Sequence, residues 1–330
     1  MKYRRLGQSE MRVSAIVFGA WAIGGAMWGG TDDQAAVEAI QAALDLGVNA
    51  VDTAPIYGLG HSERLVGKAV AGKRDKVFLF TKFGLRADLE EGEYYFTMDL
   101  QGKGVKVYRN SRKRRVIEEC ERSLKNLGTD YIDLYQAHWR DRTVPVEEPM
   151  EAVAELIKQG KVRYAGVSNY SVPEIEAARR CVPLVSVQPP YSLVNRGVEK
   201  DVLPYCRDRG IGVLVYSPLQ RGLLAGKFQP DHRFPPGDHR ANQPFFRPEN
   251  IRRVNRMIEE IRPIAAAHQA APAQVILAWT VRQPGVTAAL VGARNAKQAQ
   301  ENARAGEIDL SPEELQRLAE LADRLDLDLS

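Results

Sequence analysis

The stretch Val48-Asn49-Ala50-Val51-Asp52-Thr53-Ala54-Pro55-Ile56-Tyr57 starts as a short apolar strand and ends in a carboxylate, with a phenol in the turn that follows. Two later stretches repeat the pattern. Lys76-Val77-Phe78-Leu79-Phe80-Thr81 runs into Lys82, and Tyr131-Ile132-Asp133-Leu134-Tyr135-Gln136-Ala137 runs into His138. Apolar strands normally stop in turn residues, so polar groups that end three in succession call for a common cause. A (β/α)8 barrel supplies one, because the C-terminal ends of neighbouring parallel strands converge on one mouth and share a pocket. Ordinary buried hydrogen bonding would explain one such ending, but not four residues on three successive strands.

Working outward, strand-like and helix-like runs alternate along the whole chain. Strands are expected at 15–19, 48–52, 77–82, 132–137, 164–167, 185–188, 212–216 and 287–291. Amphipathic runs fall at 34–46, 62–69, 113–127, 149–159, 173–179, 198–209, 250–269 and 272–283. Eight strands with intervening helices imply a parallel sheet, and eight is a number that closes into a TIM barrel. A hairpin-like opening (2–5 and 11–13) precedes the repeat, and an N-capped amphipathic helix starting at Ser311-Pro312 follows it. Asp32 or Thr31, Ser111 and Ser171 are the expected caps of the first, third and fifth helices, with Glu174 completing a capping box.

Two connections exceed simple βα loops. Residues 84–110 carry Tyr94, Phe96, Met98, Val105 and Val107 in alternation about Gly102-Lys103-Gly104, which reads as a hairpin inserted after the third strand. Residues 219–248, rich in Pro, His and Arg, follow the seventh strand. Long ordered loops at the active face of a barrel tend to be lids or binding loops.

Bulk properties narrow the class. Length and composition fit a single barrel domain over residues 1–330, and a net charge of +4 is too small to indicate nucleic-acid binding. The basic run Arg109, Arg112, Lys113, Arg114, Arg115 reads as the solvated face of the third helix, since Ile117, Cys120, Leu124 and Leu127 form its inward stripe. Cys120, Cys181 and Cys206 are scattered and odd in number, so neither disulfides nor a zinc site is expected and a cytoplasmic setting fits best. The histidines lack metal-ligand spacing, so no metal is expected. No signal sequence or membrane span is expected either, and the chain leaves room for an oligomer.

The four polar residues can deliver a proton to a carbonyl oxygen. Tyr57 is the candidate acid, with its phenolate stabilised by Lys82; Asp52 holds Lys82 charged, and His138 donates to the same oxygen. Such a site supplies no electrons, so a bound hydride carrier is required. Gly58-Leu59-Gly60-His61-Ser62-Glu63 begins like a dinucleotide fingerprint but ends in Glu, and reads as a tight turn.

Taken together, Asp52-Thr53-Ala54-Pro55-Ile56-Tyr57-Gly58, Lys82, the 131–138 run, Gly166-Val167-Ser168-Asn169, Gln188, Tyr216-Ser217-Pro218-Leu219 and Gly292-Ala293-Arg294 resemble the signature series of the aldo-keto reductase superfamily. Gln188-Pro189-Pro190-Tyr191 and the loop 221–227 resemble bacterial reductases related to the β subunits of voltage-gated potassium channels. The resemblance implies that Ser168, Asn169 and Gln188 hold a nicotinamide carboxamide and that Tyr216 stacks on its ring. It further places Ser217, Leu219, Gly222 and Lys227 on the pyrophosphate and Arg294, Gln298, Glu301 and Asn302 at the adenosine end, with Pro218 and Gly292 also at the cofactor. A guanidinium at Arg294 suits a 2′-phosphate, so NADP(H) is expected over NAD(H), with NAD(H) as a second option.

Where relatives follow the histidine with Trp-Pro-Asp, this chain has Trp139-Arg140-Asp141. Arg140 is expected either to face solvent or to add a cation near the mouth. Trp21, Trp28 and Trp139, with Tyr94 or Phe96, are candidates for the substrate wall. The expected activity is reduction of aldehydes or sugar-like carbonyls, or oxidation of the corresponding polyols. Two other readings are a regulatory nucleotide-binding module and a Schiff-base aldolase using Lys82, although Asp52 and Tyr57 suit a charged lysine better than a neutral nucleophile.

Overall fold

In the computed structural model, which describes residues 1–100 and 102–330, eight parallel strands close into a barrel: β1 (Ile16–Gly19), β2 (Ala50–Asp52), β3 (Phe78–Phe83), β4 (Ile132–Ala137), β5 (Val162–Ser168), β6 (Leu184–Gln188), β7 (Gly212–Tyr216) and β8 (Ala288–Val291). Each strand pairs with the next, and β8 returns to β1 with Leu290 opposite Val17. All six residues of β4 are buried, as are all five of β6. That double-sided burial explains why the strands read as apolar runs rather than as alternation.

The interior of the barrel is packed at its base and polar towards its mouth. Val17, Ala50, Phe80, Leu134, Val185, Leu214 and Ala288 meet Leu6, Met11 and Val13 of the N-terminal hairpin, whose strands Tyr3–Arg5 and Arg12–Ser14 pair antiparallel. The hairpin plugs the base. Gly7 makes that approach possible: its φ is +55°, and a Cβ there would stand 2.3 Å from the Val185 carbonyl oxygen.

Ten helices are described: α1 (Asp33–Asp45), α2 (His61–Ala69), α3 (Lys113–Leu127), α4 (Glu147–Lys158), α5 (Val172–Arg179), α6 (Val202–Asp208), α7 (Pro248–Ala267), α8 (Pro272–Arg282), α9 (Ala296–Arg304) and α10 (Pro312–Asp323). Asp32 caps α1, accepting from the Ala35 amide at 3.0 Å, and Glu174 accepts the Ser171 amide at the start of α5. Two expectations are corrected. The helix that completes the eighth repeat is α9, with α7 an addition inside the connection after β7; α9 buries only Ala299 and Ala303, too few apolar residues to show a period. Ser111 does not cap α3. The first turn of that helix is satisfied from a distance, by Glu148 accepting the Lys113 amide (2.9 Å), and Asp141 accepts the Ser111 amide (2.8 Å).

The insertion after β3 forms a three-stranded sheet, with Leu85–Arg86 pairing with Lys103–Arg109 and that strand with Glu93–Leu100. Lys103 lies opposite Leu100 and Gly104 opposite Asp99, so both belong to the strand rather than to the turn. The connection after β7 folds on itself: Phe246 meets Phe228 and Phe234 edge to face, and the Arg240 guanidinium sits 4.9 Å from the Phe234 ring. The basic run beside α3 is largely ion-paired, with Arg109 on Glu93, Lys113 on Glu155, and Arg115 on Glu91 and Glu118.

Glu119 of α3 accepts the amide of Gly84, just beyond β3, at 2.8 Å, and burial pushes its carboxyl up to about 8. In the unfolded chain this group ionises near its ordinary value of 4.5, so it withdraws stability as pH rises from there to about 8. Glu119→Gln keeps the acceptor and removes the titration. The variant is expected to gain about 1–3 kcal/mol over the parent at pH near 8.5 and much less at pH near 5, read by urea denaturation.

Candidate active site

The strand ends decide the geometry. Gly19 lies opposite Asp52, Asp52 opposite Phe80, Lys82 opposite Gln136 and Ser168 opposite Gln188, so these positions form consecutive levels near one mouth. Tyr57 enters from the turn after β2, where Gly58, Leu59 and Gly60 all have positive φ. A Cβ on Gly58 would lie 2.2 Å from the Gly24 carbonyl oxygen, so glycine lets this turn press against the loop after β1.

The four candidate residues converge. Lys82 Nζ donates to Asp52 Oδ1 (2.5 Å), to the Thr53 carbonyl (2.9 Å) and to Tyr57 Oη (3.3 Å). Lys82 is only 1 % exposed, so its charge requires this pairing. Burial pulls the Lys82 ammonium down, but Asp52 and Tyr57 raise it above the ordinary lysine value. The His138 ring packs edge-on to Tyr57 with centroids 5.7 Å apart. Burial and the nearby Lys82 charge hold its imidazole well below the ordinary histidine value, hence neutral.

The tyrosine departs from expectation in one respect. Burial raises its pKa above the ordinary value, and Lys82 only partly offsets this, with Asp52 working against it. The phenol is therefore held in its proton-bearing form at neutral pH. That is the form a proton donor needs.

A cavity of about 750 Å3 lies over this group and runs outward between the loop after β1 and the connection after β7. Asp52, Tyr57 and His138 line its inner end, with Lys82 behind them. Every residue expected at a cofactor lies on the same cavity: Ser168, Asn169, Gln188, Tyr216, Ser217, Pro218, Leu219, Gly222, Lys227, Gly292, Arg294, Gln298, Glu301 and Asn302. Several are tied to one another. Tyr216 Oη donates to Asn169 Oδ1 (2.8 Å), Asn169 Nδ2 to the His138 carbonyl (3.0 Å), and Ser168 Oγ to the Gln188 carbonyl (2.8 Å). Asn169 and Ser217 both sit at positive φ, and so do Gln220, Arg221 and Gly222. The amides of Asn169, Gln220 and Gly222 are taken by the carbonyls of Gln188, Ser217 and Leu219, so these left-handed residues fold tight turns along the cavity wall.

Trp21, Trp28 and Trp139 line the cavity, whereas Arg140 does not. Its guanidinium folds back onto the carbonyls of Asp141 and Val144, so it neither faces the mouth nor supplies it with a free cation. Tyr94 is also corrected: it is 54 % exposed, and Tyr95 and Phe96 supply the wall together. A register shift between Tyr94 and Phe96 breaks the strand alternation on which the expectation relied.

Sequence reasoning missed two further lining groups. Arg221 stands 5.7 Å over the Trp21 ring, and its Nε is buried with no partner among the described residues. Its sequence signal was an arginine inside the mostly apolar run 218–225. His239 rests against Trp21 and Trp28 and is fixed by its Nδ1 on the Met27 carbonyl (2.7 Å), a contact across 212 residues that no local pattern announces.

Residues 15–323 match the model of the aldo/keto reductase family. The chain belongs to that family. It is 41% identical over 297 residues to the aldo-keto reductase YhdN of Bacillus subtilis, covering 89% of this chain and 85% of the relative. It is 35% identical to the NADH-specific methylglyoxal reductase of Escherichia coli, over 99% of this chain and all of the relative. Among solved structures, the glycerol dehydrogenase AKR11B4 from Gluconobacter oxydans superposes with a TM-score of 0.87 at 36% identity, covering 100% of this chain and 98% of that one. An aldo/keto reductase from Klebsiella pneumoniae in complex with NADP and acetate superposes with a TM-score of 0.73 at 30% identity, over 100% and 99% of the two chains. This aldo/keto reductase is thus an oxidoreductase with an eight-stranded parallel barrel. Among its described residues no helix is long and apolar enough to cross a membrane, and no group of three or more His, Cys, Asp or Glu side chains could hold a metal ion.

Proposed function

We propose that this aldo/keto reductase is an NADP(H)-dependent reductase of aldehydes or sugar-like carbonyls, reversibly oxidising the alcohols, with Tyr57 as general acid and base. The observation that carries the reading is the contact of Lys82 Nζ with Tyr57 Oη at 3.3 Å, at the inner end of the cavity and beside a neutral His138. A carbonyl oxygen placed there receives a proton from Tyr57 and a hydrogen bond from His138, while Lys82 stabilises the phenolate left behind. When bound, the dinucleotide supplies the hydride.

The cavity fits such a group. Its volume lies within the range of cofactor sites, it is lined by two loops, and one of its buried cationic nitrogens has no partner among the described residues. Ser168, Asn169 and Gln188 would hold the carboxamide, and Tyr216, its hydroxyl anchored on Asn169, would lie against the ring. Ser217, Leu219, Gly222 and Lys227 would take the pyrophosphate, and Arg221 adds a cation there that the sequence reading left out. Gln298, Glu301 and Asn302 would meet the adenosine. Trp21, Trp28, Trp139 and Phe96 would face the substrate. Within the family we place the chain beside the bacterial reductases related to potassium-channel β subunits, on the strength of 188–191 and 221–227.

Arg294 is the candidate for the 2′-phosphate, and the structure of a relative with NADP supports this preference, while an NADH-specific relative makes NAD(H) an admissible second cofactor. Its Nη2 donates to the carbonyls of Trp28 and Gly30, the latter at 3.0 Å. Arg294→Ala is expected to weaken NADPH binding by roughly 1.5–3 kcal/mol and NADH binding little, read by fluorescence titration. Equal losses would show instead that the arginine acts by tethering the loop after β1. The function itself is tested by NADPH oxidation across a panel of aldehydes, ketoses and aldoses. Turnover on hydroxylated carbonyls is expected, and tight binding without turnover on any carbonyl would point to a regulatory binding module.

A further inference from the structure

The mechanism above leaves one buried polar group beneath the site without a task. Gln136 of β4 is fully buried, points into the barrel at the level of Lys82, and donates from Nε2 to Asp52 Oδ2 at 3.3 Å. Gln188 donates to the same oxygen at 2.9 Å, so Asp52 spends Oδ1 on Lys82 and Oδ2 on two amides. The orientation of Gln136 is itself set: Ser186 Oγ donates to Gln136 Oε1 at 3.2 Å, and a flipped amide would turn its oxygen onto the carboxylate. Gly166, the register partner of both Gln136 and Ser186, makes room for this pair, because a Cβ there would stand 2.3 Å from Ser186 Oγ and 3.0 Å from Gln136 Cγ.

We propose that Gln136, oriented by Ser186, is a positioning residue that locks the Asp52 carboxylate onto Lys82 and thereby sets how readily Tyr57 releases its proton. The inference rests on the reading of Tyr57 as the acid and base. Two routes lead from Gln136 to Tyr57, and they have the same sign. Without the amide donor the Asp52 charge is less neutralised and opposes the phenolate directly. If Asp52 instead takes up a proton, Lys82 loses its partner and its charge, and the phenolate loses its cation. The other groups facing Tyr57 are His138, neutral through burial, and across the cavity the Tyr216 hydroxyl with Arg221 beside it. None of them hydrogen-bonds Gln136.

The test is the pH profile of NADP+-dependent alcohol oxidation by the full chain and by Gln136→Met, which keeps length and removes the donor. The limb on which activity rises with pH is expected to move up by roughly half to one unit, with NADPH affinity changed by no more than about twofold. Ser186→Ala should move the limb the same way by less, and it carries the test alone if Gln136→Met does not fold. An unmoved limb overturns the proposal, even where kcat or thermal stability falls, because loss of packing alone would not shift a titration. Retained turnover in Tyr57→Phe would overturn the underlying assignment. Abolished turnover in Tyr57→Phe with an unmoved limb in Gln136→Met would sink the positioning role by itself.

Discussion

Tyr57→Phe is expected to lower kcat for carbonyl reduction by about 10²–10⁴-fold while leaving NADPH affinity within a few fold. The phenol oxygen is the only part removed. The ring keeps its packing against Trp21, centroids 6.1 Å apart and nearly stacked, and its edge-on contact with His138. Lys82 loses one of three acceptors but keeps Asp52 and the Thr53 carbonyl, so the ion pair below the site survives. A fall in kcat without a matching fall in cofactor affinity therefore isolates proton delivery from binding. Because burial raises the Tyr57 pKa above its ordinary value of 10.0, its deprotonation should not limit reduction by the parent chain at or below neutral pH. Because His138 is held well below 6.5, its protonation should not limit the rate there until the solution is more acidic than that value. A variant that turns over at near-parental rates would remove Tyr57 from the mechanism.

Lys82→Met should have a second large effect, on both stability and turnover. Methionine approximates the length of the lysine stem but leaves Asp52, 4 % exposed, without its cation. Breaking one partner of a buried pair costs about 3–5 kcal/mol, and the amides of Gln188 and Gln136 on the remaining carboxylate favour the lower end. Urea denaturation at neutral pH measures this loss. Adding Asp52→Asn should restore part of the stability while turnover stays low, because a neutral pair packs well but provides no charge for the phenolate. A double variant with restored activity would contradict the proposed role of the ammonium.

The barrel was legible because its strands are buried on both faces, which makes apolar runs of four to seven residues stand out between amphipathic helices. Asp52, Lys82 and His138 were legible for the complementary reason: a polar residue that ends such a run is out of place unless the strand end opens on a mouth. The helix α9 was not legible, since it buries only Ala299 and Ala303. The cap of α3 was misread because its donors are satisfied by Glu148, 35 residues away, and not by the local Ser111. Tyr95 was passed over because the register shift beside it turns both Tyr95 and Phe96 to the cavity.

The amino-acid sequence by itself determined the eight-strand repeat, the residues at the strand ends and their chemical types, because periodicity and polarity are local properties carried by each segment separately. Only the tertiary structure decided what those residues do to one another. Arg140 is spent on nearby loop carbonyls, Arg221 has a buried nitrogen without a partner among the described residues, and the Tyr57 phenol is raised by burial more than Lys82 lowers it. Gln136 meets Asp52 across 84 residues, where Gly166 leaves the space for it. Burial, charge pairing and side-chain orientation depend on which segments closure of the barrel brings together, and that is a property of the closed barrel rather than of any stretch of chain.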